Sequence, residues 1–128
     1  MAGSNVYINE APNFPMEAGE DISAGEIVCI AAADGLVYLA DASDSLLRPA
    51  IGFAETDTDD GEMVSVKGAG QLTGATGLTP GATLYLSETA GAITHTAPTG
   101  SFVQSVGIAK TDTELIIRLD AGQSWYGY

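Results

Sequence analysis

The chain has 128 residues, 45% of them hydrophobic, and 17 Asp plus Glu against 4 Lys plus Arg, a formal net charge of -13. That length allows one domain that buries roughly two thirds of its unfolded surface, so a core can form without disulfides, metals or a cofactor. The apolar content excludes a disordered acidic tail, and Arg48, Lys67, Lys110 and Arg118 are too few cations to hold a nucleic-acid backbone or an anionic membrane surface.

In chain order, Met1 to Asn5 carries no basic start and no apolar stretch follows it, so no secretory signal is expected. Residues 1–23 hold Tyr7, Phe14 and Met16 among the prolines Pro12 and Pro15. Their apolar alternation is too weak for a good strand, and the prolines favour an extended arm. The apolar run Ile27 to Ala33 is far short of the ~20 residues of a spanning helix. It contains Cys29, the single cysteine, which is expected to be a buried, inert thiol in a protein made in a reducing cytoplasm. Strands are expected near 26–32, 36–40, 49–55, 63–68, 82–87, 92–95, 102–109 and 114–119. The evidence is a period of two, as in Val64 and Val66 against Ser65 and Lys67, with turns at Asp34-Gly35, Asp60-Gly61, Pro80-Gly81 and Ala90-Gly91. No sustained helical period occurs. The core is expected to take Ile27, Val64, Val66, Leu84, Leu86, Leu115, Ile117 and Leu119.

The chain also repeats itself. Ala24-Gly25-Glu26-Ile27-Val28-Cys29-Ile30 and its turn match Pro80-Gly81-Ala82-Thr83-Leu84-Tyr85-Leu86 at an offset of 56, and Gly52 to Thr58 matches Gly107 to Thr113 at an offset of 55 with five of seven residues identical. Val64 to Lys67 pairs with Leu115 to Arg118 at an offset of 51, leaving Asp59 to Glu62 as an insertion. These offsets predict two duplicated β-units, copy one over 24–70 and copy two over 78–122, packed as one small barrel or sandwich over 24–122 with pseudo-twofold symmetry. Gly68 to Gly74 reads as the linker between them. Residues 1–23 form the arm, and residues 123–128 form an aromatic tail with Trp125, Tyr126 and Tyr128. The tail is too apolar to dangle in water, and it lies on its own domain or on a neighbouring subunit.

Chemistry-bearing patterns are sparse. His95 is the single histidine and reads as a strand-edge surface residue. No Gly-x-Ser-x-Gly turn occurs, and one Cys with one His cannot build a zinc site. Glu55 to Glu62 is rich in carboxylates, but the spacing from Asp57 puts Gly61 and Gly68 out of register for a calcium loop, so a solvated hairpin end is expected. No enzyme activity and no cofactor or metal is assigned.

The stretch from Leu78 through Pro80-Gly81, Ala90-Gly91 and Pro98 to Val106-Gly107-Ile108-Ala109, with its first copy Ile22 to Ala54, resembles tailed-bacteriophage capsid decoration, or cement, proteins. The resemblance covers about residues 20–119. It implies a non-enzymatic virion protein with a β-barrel or β-tulip body, often trimeric, made in the host cytoplasm. Such a protein binds the outside of the head shell, where it stabilises junctions between capsomers of the major capsid protein. The alternative is a tail-associated or cell-surface module that binds receptors or glycans. In either case Tyr7, Phe14, Met16, Trp125, Tyr126 and Tyr128 are the candidate interface residues, with one or both ends crossing to another subunit or to the shell.

Overall fold

The computed structural model describes residues 13–100, 102–120 and 123–124, leaving aside the side chains of 13, 14, 123 and 124. Twelve strands follow one another: β1 Asn13–Glu17, β2 Ile27–Ile30, β3 Val37–Leu39, β4 Ala50–Ala54, β5 Met63–Lys67, β6 Gly70–Thr73, β7 Thr83–Leu86, β8 Ile93–Thr94, β9 Phe102–Val103, β10 Ser105–Ala109, β11 Glu114–Ile117 and β12 Gln123–Ser124. Sheet one runs β1-β5-β4-β2-β3, sheet two runs β6-β11-β10-β7-β8, and β12 pairs with β9 in a short ribbon. Every pairing between these strands is antiparallel.

The all-β class and the expected strands are found within two or three residues at most of their ends. The closed barrel is not, because each sheet keeps two edges instead of joining onto itself. Three further strands were expected as loop, linker or tail, β12 falling at the start of the expected tail. β1 forms despite Pro15, which a sheet edge tolerates, and β6 replaces the anticipated linker. The expected strand over 102–109 is interrupted at Gln104.

The two sheet orders correspond strand for strand. Equivalent bonds recur in them: the Gly25 N–H donates to the Ala54 carbonyl and the Gly81 N–H to the Ala109 carbonyl, both at 2.8 Å. Likewise the Ala31 N–H donates to the Leu36 carbonyl at 2.9 Å and the Ser87 N–H to the Ala92 carbonyl at 3.2 Å. Gly25 and Gly81 have φ of 90° and 83°, a region that Cβ-bearing residues avoid. Gly52 and Gly107 serve a different purpose. A Cβ on Gly52 would stand 2.6 Å from the Lys67 carbonyl oxygen, and one on Gly107 2.5 Å from that of Ile116, so both glycines allow the neighbouring strand to approach.

The sheets are not packed alike. Along β2, Ile27, Val28 and Cys29 are all inaccessible although neighbours on a strand point to opposite faces, so sheet one is covered on both sides. One face, with Val28, Val37, Ala54, Val64 and Val66, closes over Ala18 and Ile22 of the segment after β1. The other, with Ile27, Cys29 and Phe53, joins Leu84, Leu86, Val106, Leu115 and Ile117 of sheet two in the larger core. Of the expected core residues all are buried except Leu119, which is half-buried at its margin.

Gln104 is the largest polar side chain in this core, 1% exposed. Its amide exchanges two bonds with the backbone of Ala50, accepting from N–H at 2.8 Å and donating to C=O at 3.1 Å, and donates a third to the Asp120 carbonyl at 2.7 Å. It thereby satisfies main-chain groups where β4 enters the interior, groups that would each cost about 1 to 3 kcal/mol if left unpaired.

Stability measurements on point variants check this packing. Gly107→Ala and Gly52→Ala should each cost about 1 to 3 kcal/mol because backbone oxygen cannot turn away, and Ile117→Ala about 2 to 4 kcal/mol through lost burial and a residual cavity. Urea midpoints within error of the parent for these three would contradict the register.

Candidate functional surface

The side chains singled out for chemistry are occupied structurally. His95 is exposed just after β8, and its Nε2 accepts the Thr79 N–H at 3.1 Å, which makes it a turn clamp. In the acidic segment Asp57 Oδ1 accepts the Ala24 N–H at 2.8 Å, while the Asp60 N–H donates to Asp21 Oδ1 at 2.9 Å. These carboxylates pin the loop to the turn before β2 and to the segment after β1. Among the described residues no group of three or more His, Cys, Asp or Glu side chains is arranged to hold a metal ion.

Of the six interface candidates, Tyr7, Trp125, Tyr126 and Tyr128 lie outside the described residues. Phe14 is placed only by its backbone, opposite Val66 in the β1–β5 ladder. Met16 is half-buried on the smaller core of its own chain.

Pairing registers reveal a surface that sequence reasoning did not single out. Ile108 stands opposite both Ile116 and Thr83, Ile116 stands opposite Gln71, and Tyr85 follows Thr83 by two residues. All five therefore share the outer face of sheet two. At the offsets of 56 and 55, Thr83, Tyr85 and Ile108 take the places of Ile27, Cys29 and Phe53, the residues that bury the corresponding face of sheet one. On sheet two nothing described covers them: Thr83 is exposed, Tyr85 and Ile108 are half-buried, and Ile116 is 39% exposed. The other exposed large apolar side chains, Ile30, Leu46 and Met63, sit at strand ends or in a loop.

Charge divides the molecule in the same direction. Thirteen of the 17 carboxylates precede residue 71, whereas each side of that point carries two of the four cations. The first half thus holds a net -11 and the second -2. Sheet two offers its apolar face from the nearly neutral half, and this asymmetry was available in the sequence as a sign that the halves have different surroundings.

A family model described as phage cement protein matches residues 6–114. The chain belongs to this family. It is thus a phage structural protein of a family not known for catalysis, and a component of the virion. No curated protein compared with the chain matches it. In this cement protein the family match runs across both sheets, from before β1 to the start of β11.

Burial also defines the state of the thiol. Cys29 is inaccessible in the larger core, and its pKa is pushed from the ordinary 9.0 up to about 12, first by desolvation and then by the carboxylates of Glu20, Asp44 and Asp41. At the surface, by contrast, the Tyr38 hydroxyl donates to Asp34 Oδ2 at 2.7 Å, which lowers the Asp34 pKa and raises that of Tyr38. Because the folded thiol titrates above its unfolded value, its contribution to stability is complete below about pH 9 and is lost as pH rises towards 12. Maleimide should therefore leave Cys29 unlabelled in native protein at pH 7 and label it on unfolding. Cys29→Ala should flatten the fall of stability between pH 9 and 12. Rapid native labelling, or the same alkaline slope in the variant, would contradict the burial.

Proposed function

We propose that this protein binds the outer surface of a phage head and stabilises the shell at capsomer junctions, as a homotrimer whose partner is the major capsid protein. The observation that carries the reading is the outer face of sheet two, which no described residue covers, placed in the half that carries a net -2 while the other half carries -11. A surface that meets a neighbour loses its water and must bring few like charges together, so apolar contacts at the centre with carboxylates at the rim form a workable interface. The acidic half then faces solvent, where it keeps many copies soluble before assembly in the host cytoplasm and repels packaged nucleic acid.

In this reading the two sheets are the two copies of the sequence repeat, and their outer faces have diverged. One face was filled to join the halves, and the other was kept for a partner. The C-terminal residues Trp125, Tyr126 and Tyr128 supply aromatic anchors to a neighbouring subunit or to the shell.

Binding to preformed expanded shells, followed by co-sedimentation and by the melting temperature of the shell, tests the proposal. A ligand that binds only the assembled shell raises its melting temperature by mass action. Ile116→Glu, at an exposed position that leaves the core intact, should weaken shell binding more than tenfold, about 1.4 kcal/mol, and removal of residues 124–128 should do the same. Shells that melt unchanged, or binding to host cells instead of shells, would refute the function.

A further inference from the structure

The two sheets meet through unlike faces. At the offsets of 56 and 51, Leu84, Leu115 and Ile117 of sheet two take the places of Val28, Val64 and Val66 of sheet one. Yet the first three lie in the larger core with Ile27, Cys29 and Phe53, whereas the three valines lie in the smaller core on the opposite side of sheet one. The flanking residues obey the same rule: Met16 and Ile22 pack on the smaller core, and Leu72 and Leu78, their counterparts at an offset of 56, on the larger. A twofold axis would set one face against itself, so the pseudo-twofold expected from the repeat does not relate the sheets. They stack head to tail, and a contact of that type leaves one complementary face at each end of the stack.

The two ends differ. At one, the outer face of sheet two keeps its access to solvent, with Thr83 exposed and Ile116 39% exposed. At the other, Val28, Val64 and Val66 are inaccessible, packed with Ala18 and Ile22 of a strap formed by residues 18–22. The strap is tied down along its length. The Gly19 N–H donates to the Val37 carbonyl, and Ile22 and Thr58 exchange N–H to carbonyl bonds, all at 2.7 to 2.8 Å, while the Leu39 N–H donates to Glu20 Oε2 at 2.8 Å. Further bonds come from Asp59 to Glu62, the insertion that the second copy of the repeat lacks. There the Ala18 N–H donates to the Glu62 carbonyl at 2.8 Å, the Gly61 N–H to the Ala18 carbonyl at 2.9 Å and the Asp60 N–H to Asp21 Oδ1 at 2.9 Å. The matching segment of the second copy, residues 74–78, carries no charge, and its Leu78 belongs to the larger core.

We infer that the strap is an autoinhibitory cap, which occupies the face onto which a second copy of this chain would stack the outer face of its sheet two. The pairing of faces is the one already made inside the chain. Tyr85 and Ile108 stand where Cys29 and Phe53 stand, and Val28, Val64 and Val66 stand where Leu84, Leu115 and Ile117 stand, so the contact between copies repeats the contact between sheets. With the cap open, every chain presents both complementary faces and copies add head to tail without limit, which terminal units with a polar outer surface prevent in repeat proteins. Glu20 and Asp21 give the strap its polar character, and the insertion Asp59 to Glu62 holds it in place. The inference concerns copies of this chain alone and does not depend on where the protein sits on the virion.

Sedimentation velocity on the full chain, with no shells present, tests it. Removal of Asp59 to Glu62 brings the hairpin to the length found in the second copy and takes away the bonds that the insertion gives the strap. That chain should self-associate at least tenfold more tightly than the parent, in a series that lengthens with concentration. Ile22→Ala, which loosens the strap and leaves the hairpin intact, should act in the same direction by a smaller factor, and it decides alone if the shortened chain does not fold. Ile116→Glu added to either variant should return it to the association state of the parent, which separates stacking through the outer face from general stickiness of an opened core. Folded variants that associate no more than the parent, or assembly that Ile116→Glu leaves intact, would overturn the inference.

Discussion

Sheet one has two apolar faces, and water is kept from both only when the second half of the chain folds against it. Ile27, Cys29 and Phe53 point one way, Val28, Val64 and Val66 the other, and all six are essentially inaccessible. The short segment from Ala18 to Ile22 covers the second set. The first set depends on Leu84, Leu86 and Val106 of sheet two. Each large side chain so buried contributes about 1.5 to 3 kcal/mol, a large part of the total stability of a domain this size. The halves therefore form one cooperative unit, and Gln104 fixes their register by closing the polar groups of Ala50 inside the shared core.

The same asymmetry shapes the outside. Burying one face of sheet one leaves its counterpart on sheet two as the broad apolar face among the described residues. The carboxylates collect in the half that needs no neighbour there. In the proposed function, stability, solubility and adhesion fall to different parts of one chain: the shared core, the acidic half and the outer face of sheet two. On that proposal the division is useful, because it lets many copies stay apart in solution and yet settle on a common shell.

Much of this was legible in the sequence because the repeat and the alternation of Val64, Val66, Leu115 and Ile117 are backbone-level signals. Offsets of 56, 55 and 51 located the strands that carry the core. The misses have physical causes. β1 and β6 are edge strands, half solvated, so their apolar alternation is weak, and Pro15 read as part of an extended arm and Gly70 as part of a linker although an edge strand accommodates both. The barrel expectation failed because alternation shows that a strand has a buried face without showing whether a sheet closes. Three consecutive buried residues at Ile27, Val28 and Cys29 mark a strand covered on both sides. The partner of that face lies far along the chain, which a local pattern cannot name. The candidate interface at the two ends rested on aromatic content, while the apolar face of sheet two emerges only when Tyr85, Ile108 and Ile116 are placed side by side by strand pairing.

Where the protein sits decides the functional reading. Cryo-electron microscopy of the assembled particle should show the two-sheet body on the outside of the head shell at threefold or local threefold positions, with the Tyr85, Ile108 and Ile116 face turned towards protein and the acidic half towards solvent. Density for this fold on the tail or the inner surface of the shell, or an outer-surface copy whose sheet-two face is bare, would contradict it.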